Sequence, residues 1–127
     1  MNIVEALKTD YARFPEDQTY SLYAEDVFFK DPLTSFYGVA RYRSMIHFMA
    51  QWFKAVHMEL YSIQQTGSRI DTTWTLRWVA PMPWQPNMTI SGRSELTLNE
   101  VGLIRSHVDY WDCSRLDVLR QLFSTRR

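Results

Sequence analysis

The 127-residue sequence predicts an α+β fold, with helices packed on one face of a curved antiparallel sheet. Two observations carry that prediction. Apolar residues recur at helical spacing through the first half and again near the C-terminus, and they alternate in between. No linker, internal repeat or change of composition divides the chain, so one domain spanning residues 1–127 is expected.

The elements follow in order. From Asn2 to Phe14, Ile3, Val4, Leu7, Tyr11 and Phe14 form one helical stripe, with Asn2 as its cap. Pro15 closes this helix or opens a second, short one from Glu16 to Tyr23, with Tyr20, Leu22 and Tyr23 turned inward. Val27, Phe28 and Phe29 read as a short strand, ended by Asp31-Pro32 because proline cannot donate to a ladder. After Gly38 comes the clearest helix, with Tyr42, Met45, Ile46, Met49, Trp52, Phe53 and Val56 on one side.

Beyond His57 the period drops to two. A strand from Arg69 to Ala80 turns Ile70, Trp74, Leu76 and Trp78 to one face and Asp71, Thr73, Thr75 and Arg77 to the other. A stretch with three prolines, Pro81 to Pro86, leads to a strand from Met88 to Leu98. Asn99-Glu-Val-Gly102 is the next turn and Leu103 to Asp112 the returning strand. Ser114 and Asp117 then form a capping box for a short helix using Leu116, Leu119, Leu122 and Phe123. A sheet of this kind curled around one long helix tends to leave a cavity at its open end.

Composition excludes several classes. Fourteen Lys and Arg balance fourteen Asp and Glu, so no basic field exists to hold nucleic acid or an anionic bilayer. The single cysteine, Cys113, rules out an internal disulfide framework and a multi-cysteine zinc site. The three histidines form no HxxxH or HxH pair, so no metal and no cofactor is expected. The N-terminal segment carries no secretory pattern and no run approaches a transmembrane span; a cytoplasmic protein is expected.

Tyr23-Ala-Glu-Asp-Val-Phe-Phe-Lys-Asp-Pro32, Gly38 before a helix, and Gly102-Leu-Ile-Arg-Ser-His-Val-Asp-Tyr-Trp-Asp112 together resemble the nuclear-transport-factor-2-like (NTF2-like, SnoaL-like) superfamily. More narrowly, Trp84-Gln-Pro86, Gly92 and the last strand resemble an uncharacterised family of cyanobacteria and plastids. The superfamily implies a cone, in which a bent sheet wraps around the N-terminal helices over an apolar pocket. It includes steroid isomerases, polyketide cyclases, epoxide hydrolases and proteins with no catalytic role.

The resemblance singles out residues. Asp109 occupies the place of a pocket acid or base, and strand alternation puts His107 and Trp111 on its face, so His107 is the candidate orienter. The competing reading is a cross-strand ladder of Arg93 with Asp109 and Glu95 with His107, decided by the register of the Asn99–Gly102 turn. Asp31 and Tyr11 match a steroid isomerase's base and oxyanion donor, with Ser94 at the position of its third member; the competing readings are a turn for Asp31 and a bonded core hydroxyl for Tyr11. Trp74 and Leu76 stand where the epoxide hydrolases keep polar groups, which argues against that activity.

Trp52, Trp74, Trp78 and Trp111 are either core or contacts for a flat apolar ligand. His47 reads as solvated, His57 as a donor to the carbonyls ending the long helix, and Cys113 as an inert thiol. The Pro81–Pro86 loop, with Met82 and Trp84, reads as a packed hairpin tip, a lid or a partner contact. The function expected is binding of a small, largely apolar molecule, with Tyr11, Asp31, Trp52, Trp74, His107, Asp109 and Trp111 lining the pocket and proton transfer as the chemistry. The alternative is a non-catalytic homodimerisation module using Thr73, Thr75 and Arg77. A hollow of a few hundred cubic ångströms favours the first, and an interior plugged by indoles the second.

Overall fold

The computed structural model describes residues 2–124. Helix α1 (Ile3–Ala12) starts where Asn2 accepts a hydrogen bond from the Val4 N–H at 2.9 Å, satisfying one of the donors that a helix start leaves open. The helix expected from Glu16 to Tyr23 is not formed. Only a 3-10 turn, Tyr20–Leu22, remains. The buried Asp10 carboxylate takes the Thr19 N–H at 3.0 Å and its hydroxyl at 2.8 Å, and Asp17 adopts a left-handed φ of 47°. These two features fold the segment back onto α1 as a loop.

Strand β1 (Tyr23–Lys30) is longer than its apolar core suggests, because it is paired on both sides. A short β2 (Ser35–Tyr37) leads into helix α2 (Val39–Trp52), entered through Gly38 at φ 111°. α2 ends earlier than its apolar pattern predicts. Phe53 is already extended, Ala55 takes a φ of 50°, and β3 (Lys54–Thr66) begins without a loop. His57 therefore lies inside β3, opposite Arg77, and not against the helix end.

Strands β4 (Arg69–Val79), β5 (Asn87–Leu98) and β6 (Ile104–Trp111) complete a six-stranded sheet of order β2-β1-β6-β5-β4-β3. Neighbouring strands are antiparallel except β1 and β6, which run parallel. The β5–β6 turn is set by Asn99, whose side chain accepts from the N–H groups of Val101 and Leu103, both at 3.0 Å. It gives the register Ser94↔Asp109 and Leu96↔His107, with Arg93 opposite Tyr110 and Glu95 opposite Val108. The ladder of Arg93 with Asp109 and Glu95 with His107 is thus not formed. Ser94 faces inward, while Arg93 and Glu95 pair on the outside at 3.1 Å.

The inward face packs Trp74, Leu76, Trp78, Met88 and Ile90 against α2 and α3, and Leu7, Val27, Ile70, Leu96 and Ile104 at the other end. Burying each such side chain contributes ~1.5–3 kcal/mol. Helix α3 (Arg115–Leu122) carries the expected capping box of Ser114 and Asp117. Gln121 ties it to β5 by bonding both the N–H and the carbonyl of Thr89. Trp84 donates to the Leu122 carbonyl at 2.7 Å and stacks on Phe123, so the Pro81–Pro86 loop is a hairpin tip folded onto α3. No helix among the described residues is long and apolar enough to cross a membrane.

Candidate functional site

Between the concave face and the helices lies a cavity of about 310 Å³. Its wall includes Trp74 and Trp78 of β4, Ser94 of β5, and His107, Asp109 and Trp111 of β6. Period-two alternation is what brings these six together, since every one occupies an inward position of its strand. Tyr11 on α1 and Asp31 after β1 also reach the cavity. Trp52 does not. It is 49% exposed on the last turn of α2, at the flank of the stripe that buries Tyr42 and Ile46 and beside the exposed Phe48.

Asp109 is the hub. Its Oδ1 accepts from the Ser94 hydroxyl at 2.5 Å and faces His107 Nε2 at 2.8 Å. Trp74 Nε1 donates in turn to Ser94 Oγ at 2.9 Å. Ser94 has one proton and spends it on Asp109, so the indole N–H must meet an oxygen lone pair. The direction of the relay is therefore fixed, from Trp74 through Ser94 to Asp109. Both contacts converge on Oδ1. Oδ2 has no donor among the described residues and is not sealed from its surroundings, as the carboxylate side chain is 18% exposed. A carboxylate pinned through one oxygen and open at the other has the form of a general base.

His107 is nearly enclosed, with the rings of Phe29, Tyr42 and Tyr23 at 5.1, 5.7 and 6.3 Å. Its Nδ1 is the one fully buried side-chain polar atom without a partner among the described residues. With Nε2–H directed at Asp109, Nδ1 is an acceptor left bare, which costs less than a bare N–H.

Tyr11 meets the Thr72 hydroxyl at 2.9 Å. Burial pushes its phenol up to about 12, so it stays protonated at neutral pH and remains a donor. Tyr23 and Tyr42 face each other hydroxyl to hydroxyl at 3.3 Å, and burial raises both. Asp31 closes an Asx turn, its Oδ1 accepting the Leu33 and Thr34 N–H groups, both at 2.8 Å. Burial raises its carboxyl above the usual range against those two bonds, and the charge of Asp109 adds to the rise.

Sequence reasoning missed Thr72, Tyr23 and Tyr42 as site residues. Thr72 shares the inward phase of Trp74, a signal that was available. Tyr23 and Tyr42 read inward but only as core, because nothing in their spacing marks facing hydroxyls. His47 is exposed on α2, and the Cys113 thiol is raised by burial.

Residues 1–107 match the family described as "Uncharacterized conserved protein (DUF2358)". The chain belongs to DUF2358. No curated protein matches this DUF2358 sequence. Solved structures do. An NTF2-like protein of unknown function from Burkholderia pseudomallei K96243 is 15% identical over 98% of this chain and 99% of that one, with a TM-score of 0.78. A hypothetical protein with a ketosteroid isomerase-like fold from Catenulispora acidiphila DSM 44928, in complex with trimethylamine, is 16% identical over 94% and 91%, with a TM-score of 0.74. A candidate polyketide cyclase from Pseudomonas putida KT2440 is 18% identical over 94% of each, with a TM-score of 0.73. At such identities the likeness is one of fold, and it gives this DUF2358 chain the NTF2-like architecture.

Proposed function

We propose that this protein binds a small, mainly apolar molecule in its cavity and moves a proton on it, as an isomerase or cyclase does. The observation that carries the reading is the Asp109 carboxylate, held through Oδ1 by Ser94 and His107 with Oδ2 open. In this reading Oδ2 takes a proton from a carbon next to a carbonyl. The electron pair moves to the carbonyl oxygen, which accepts a hydrogen bond from the Tyr11 phenol. The proton then returns to a different carbon, so nothing is gained or lost overall. Ser94 and His107 are positioning residues for Asp109, and Trp74, Trp78 and Trp111 are contacts for the ligand body. The resemblance of the Trp84–Pro86, Gly92 and His107–Asp112 segments to a cyanobacterial and plastid family makes a pigment, an isoprenoid or a tetrapyrrole worth screening, by mass spectrometry of molecules that co-purify.

The test is deuterium exchange at the acidic carbon of 2-cyclohexenone. Asp109→Asn is expected to slow the catalysed exchange by about a hundredfold or more. Equal rates in variant and wild type would remove Asp109 from the chemistry.

A second reading, pairing of two copies through the outer sheet face, draws on the hydroxyl chain there. Tyr61 donates to Thr75 at 2.8 Å and Thr75 meets Ser91 at 2.7 Å, with Tyr61 57% exposed above them. A monomer in sedimentation equilibrium at high concentration would reject it.

A further inference from the structure

The chain is neutral as a whole, but its cavity is not. Three carboxylates line it, Asp10, Asp31 and Asp109, and no Lys or Arg does among the described residues. Asp10 is accounted for by Thr19 and by Arg13 at 3.4 Å. Asp31 and Asp109 are not. Among the described residues Asp31 has only backbone N–H groups, and Asp109 only a hydroxyl and an imidazole. Neither pairs with a Lys or Arg among the described residues. Both are partly exposed, and a carboxylate even partly withdrawn from water without a counter-charge is less stable than one in bulk water. Aromatic rings stand in the wall among aliphatic side chains such as Met49, Leu76 and Ile90. Trp74, Trp78, Trp111, Phe29, Tyr23 and Tyr42 present electron-rich rings, whose faces attract cations.

We infer that the cavity is selective for a lipophilic organic cation, an ammonium group carried on an apolar body, with Asp31 and Asp109 as its counter-ions and the tryptophans around its alkyl groups. This deepens the reading of the cavity as the ligand site and rests on it. It also accounts for a feature which that reading leaves open. In the proton-transfer reading Asp109 is the base and Tyr11 the donor, and Asp31 has no part. A cation uses both carboxylates.

The test compares three probes of one shape on the full chain, by calorimetry and by quenching of tryptophan fluorescence: benzyltrimethylammonium, its neutral isostere neopentylbenzene, and the anion phenylmethanesulfonate. The cation is expected to bind about tenfold or more tighter than the isostere, and the anion not at all. Asp109→Asn and Asp31→Asn should each weaken the cation by about tenfold while leaving the isostere unchanged. Asparagine keeps the Oδ1 acceptor of each aspartate, so both folds survive, which circular dichroism checks. If the isostere binds as tightly as the cation, or the anion binds at all, the charge selectivity is overturned and the apolar-ligand reading stands. If none of the three binds, that reading falls as well.

Discussion

Two carboxylates on adjacent strands show how the sheet sorts its chemistry. Glu95 follows Ser94 on β5, and Ser94 pairs with Asp109 on β6. Glu95 points outward and is surrounded by Arg69 at 2.6 Å, Arg93 at 3.1 Å and the Tyr110 hydroxyl at 3.1 Å. Asp109 points inward and has no guanidinium among the described residues, where its partners are Ser94 and His107. The outer group is saturated and wet. The inner group is anchored at one oxygen and open at the other. Strand alternation alone separates these environments, so a shift of one residue in the β5–β6 register would exchange them.

The largest perturbation strikes both faces at once. Gly92 pairs with Trp111 and Trp74, and a Cβ there would overlap the Tyr110 carbonyl and press on the Trp74 ring. The clash is with backbone and has nowhere to relax. Gly92→Val is expected to destabilise the protein by about 3 kcal/mol or more, or to prevent folding. Urea unfolding measures it, and a loss below about 1 kcal/mol would mean that the two strands are free to part here.

Next in size is a matched pair that separates inside from outside. Ser94→Ala strips the Trp74 N–H of its only acceptor in a buried place and takes one of the two anchors from Asp109. The expected cost is about 1–3 kcal/mol. Glu95→Gln, one residue away, breaks two exposed ion pairs, and its cost is expected within about 0.5 kcal/mol. Similar losses for the two variants would show that the inner relay is no stronger than the outer ladder. Tyr11→Phe lies between them. It leaves the buried Thr72 hydroxyl without a partner, at about 1 kcal/mol by chemical denaturation.

The two faces also differ in how far a sequence reader can follow them. In β4 the alternation is strong because Trp74, Leu76 and Trp78 mark one phase and Asp71 and Arg77 the other; in β6 only the spacing of two put His107, Asp109 and Trp111 on one surface, and both groupings were legible. Which of Arg93 or Ser94 joined them was not. That depends on the Asn99 turn and on a register shift between Thr97 and Leu98, features of backbone geometry that leave no periodic trace. Trp52 misled for a different reason. A broad apolar stripe does not say which of its flanks is covered, and Trp52 lies on the flank it shares with the exposed Phe48. The loop from Glu16 to Thr19 has helix-compatible residues, and a tertiary contact from Asp10 overrides them.

The smallest expected effect tests whether the inner carboxylates feel each other. Burial raises Asp31 above its ordinary value of 3.8, with a further push from the charge of Asp109, against the lowering by the Leu33 and Thr34 N–H groups and His107. A carboxyl raised in the folded state holds its proton more tightly there than when unfolded. Its contribution to stability is complete in acid, below the unfolded aspartate range, and is lost as pH rises through the native titration. Asparagine keeps the Asx turn and does not ionise. Asp31→Asn is therefore expected to be slightly more stable than wild type at neutral pH, with the difference closing as the pH falls below about 4. Thermal unfolding across that range reads it. A more direct measurement is the carboxyl carbon shift of Asp31 followed by NMR titration, with and without Asp109→Asn. Removing the charge at Asp109 is expected to lower the Asp31 midpoint. A midpoint that stays in place would mean that water screens the two groups from each other, and the inner face would then be no drier than the outer one.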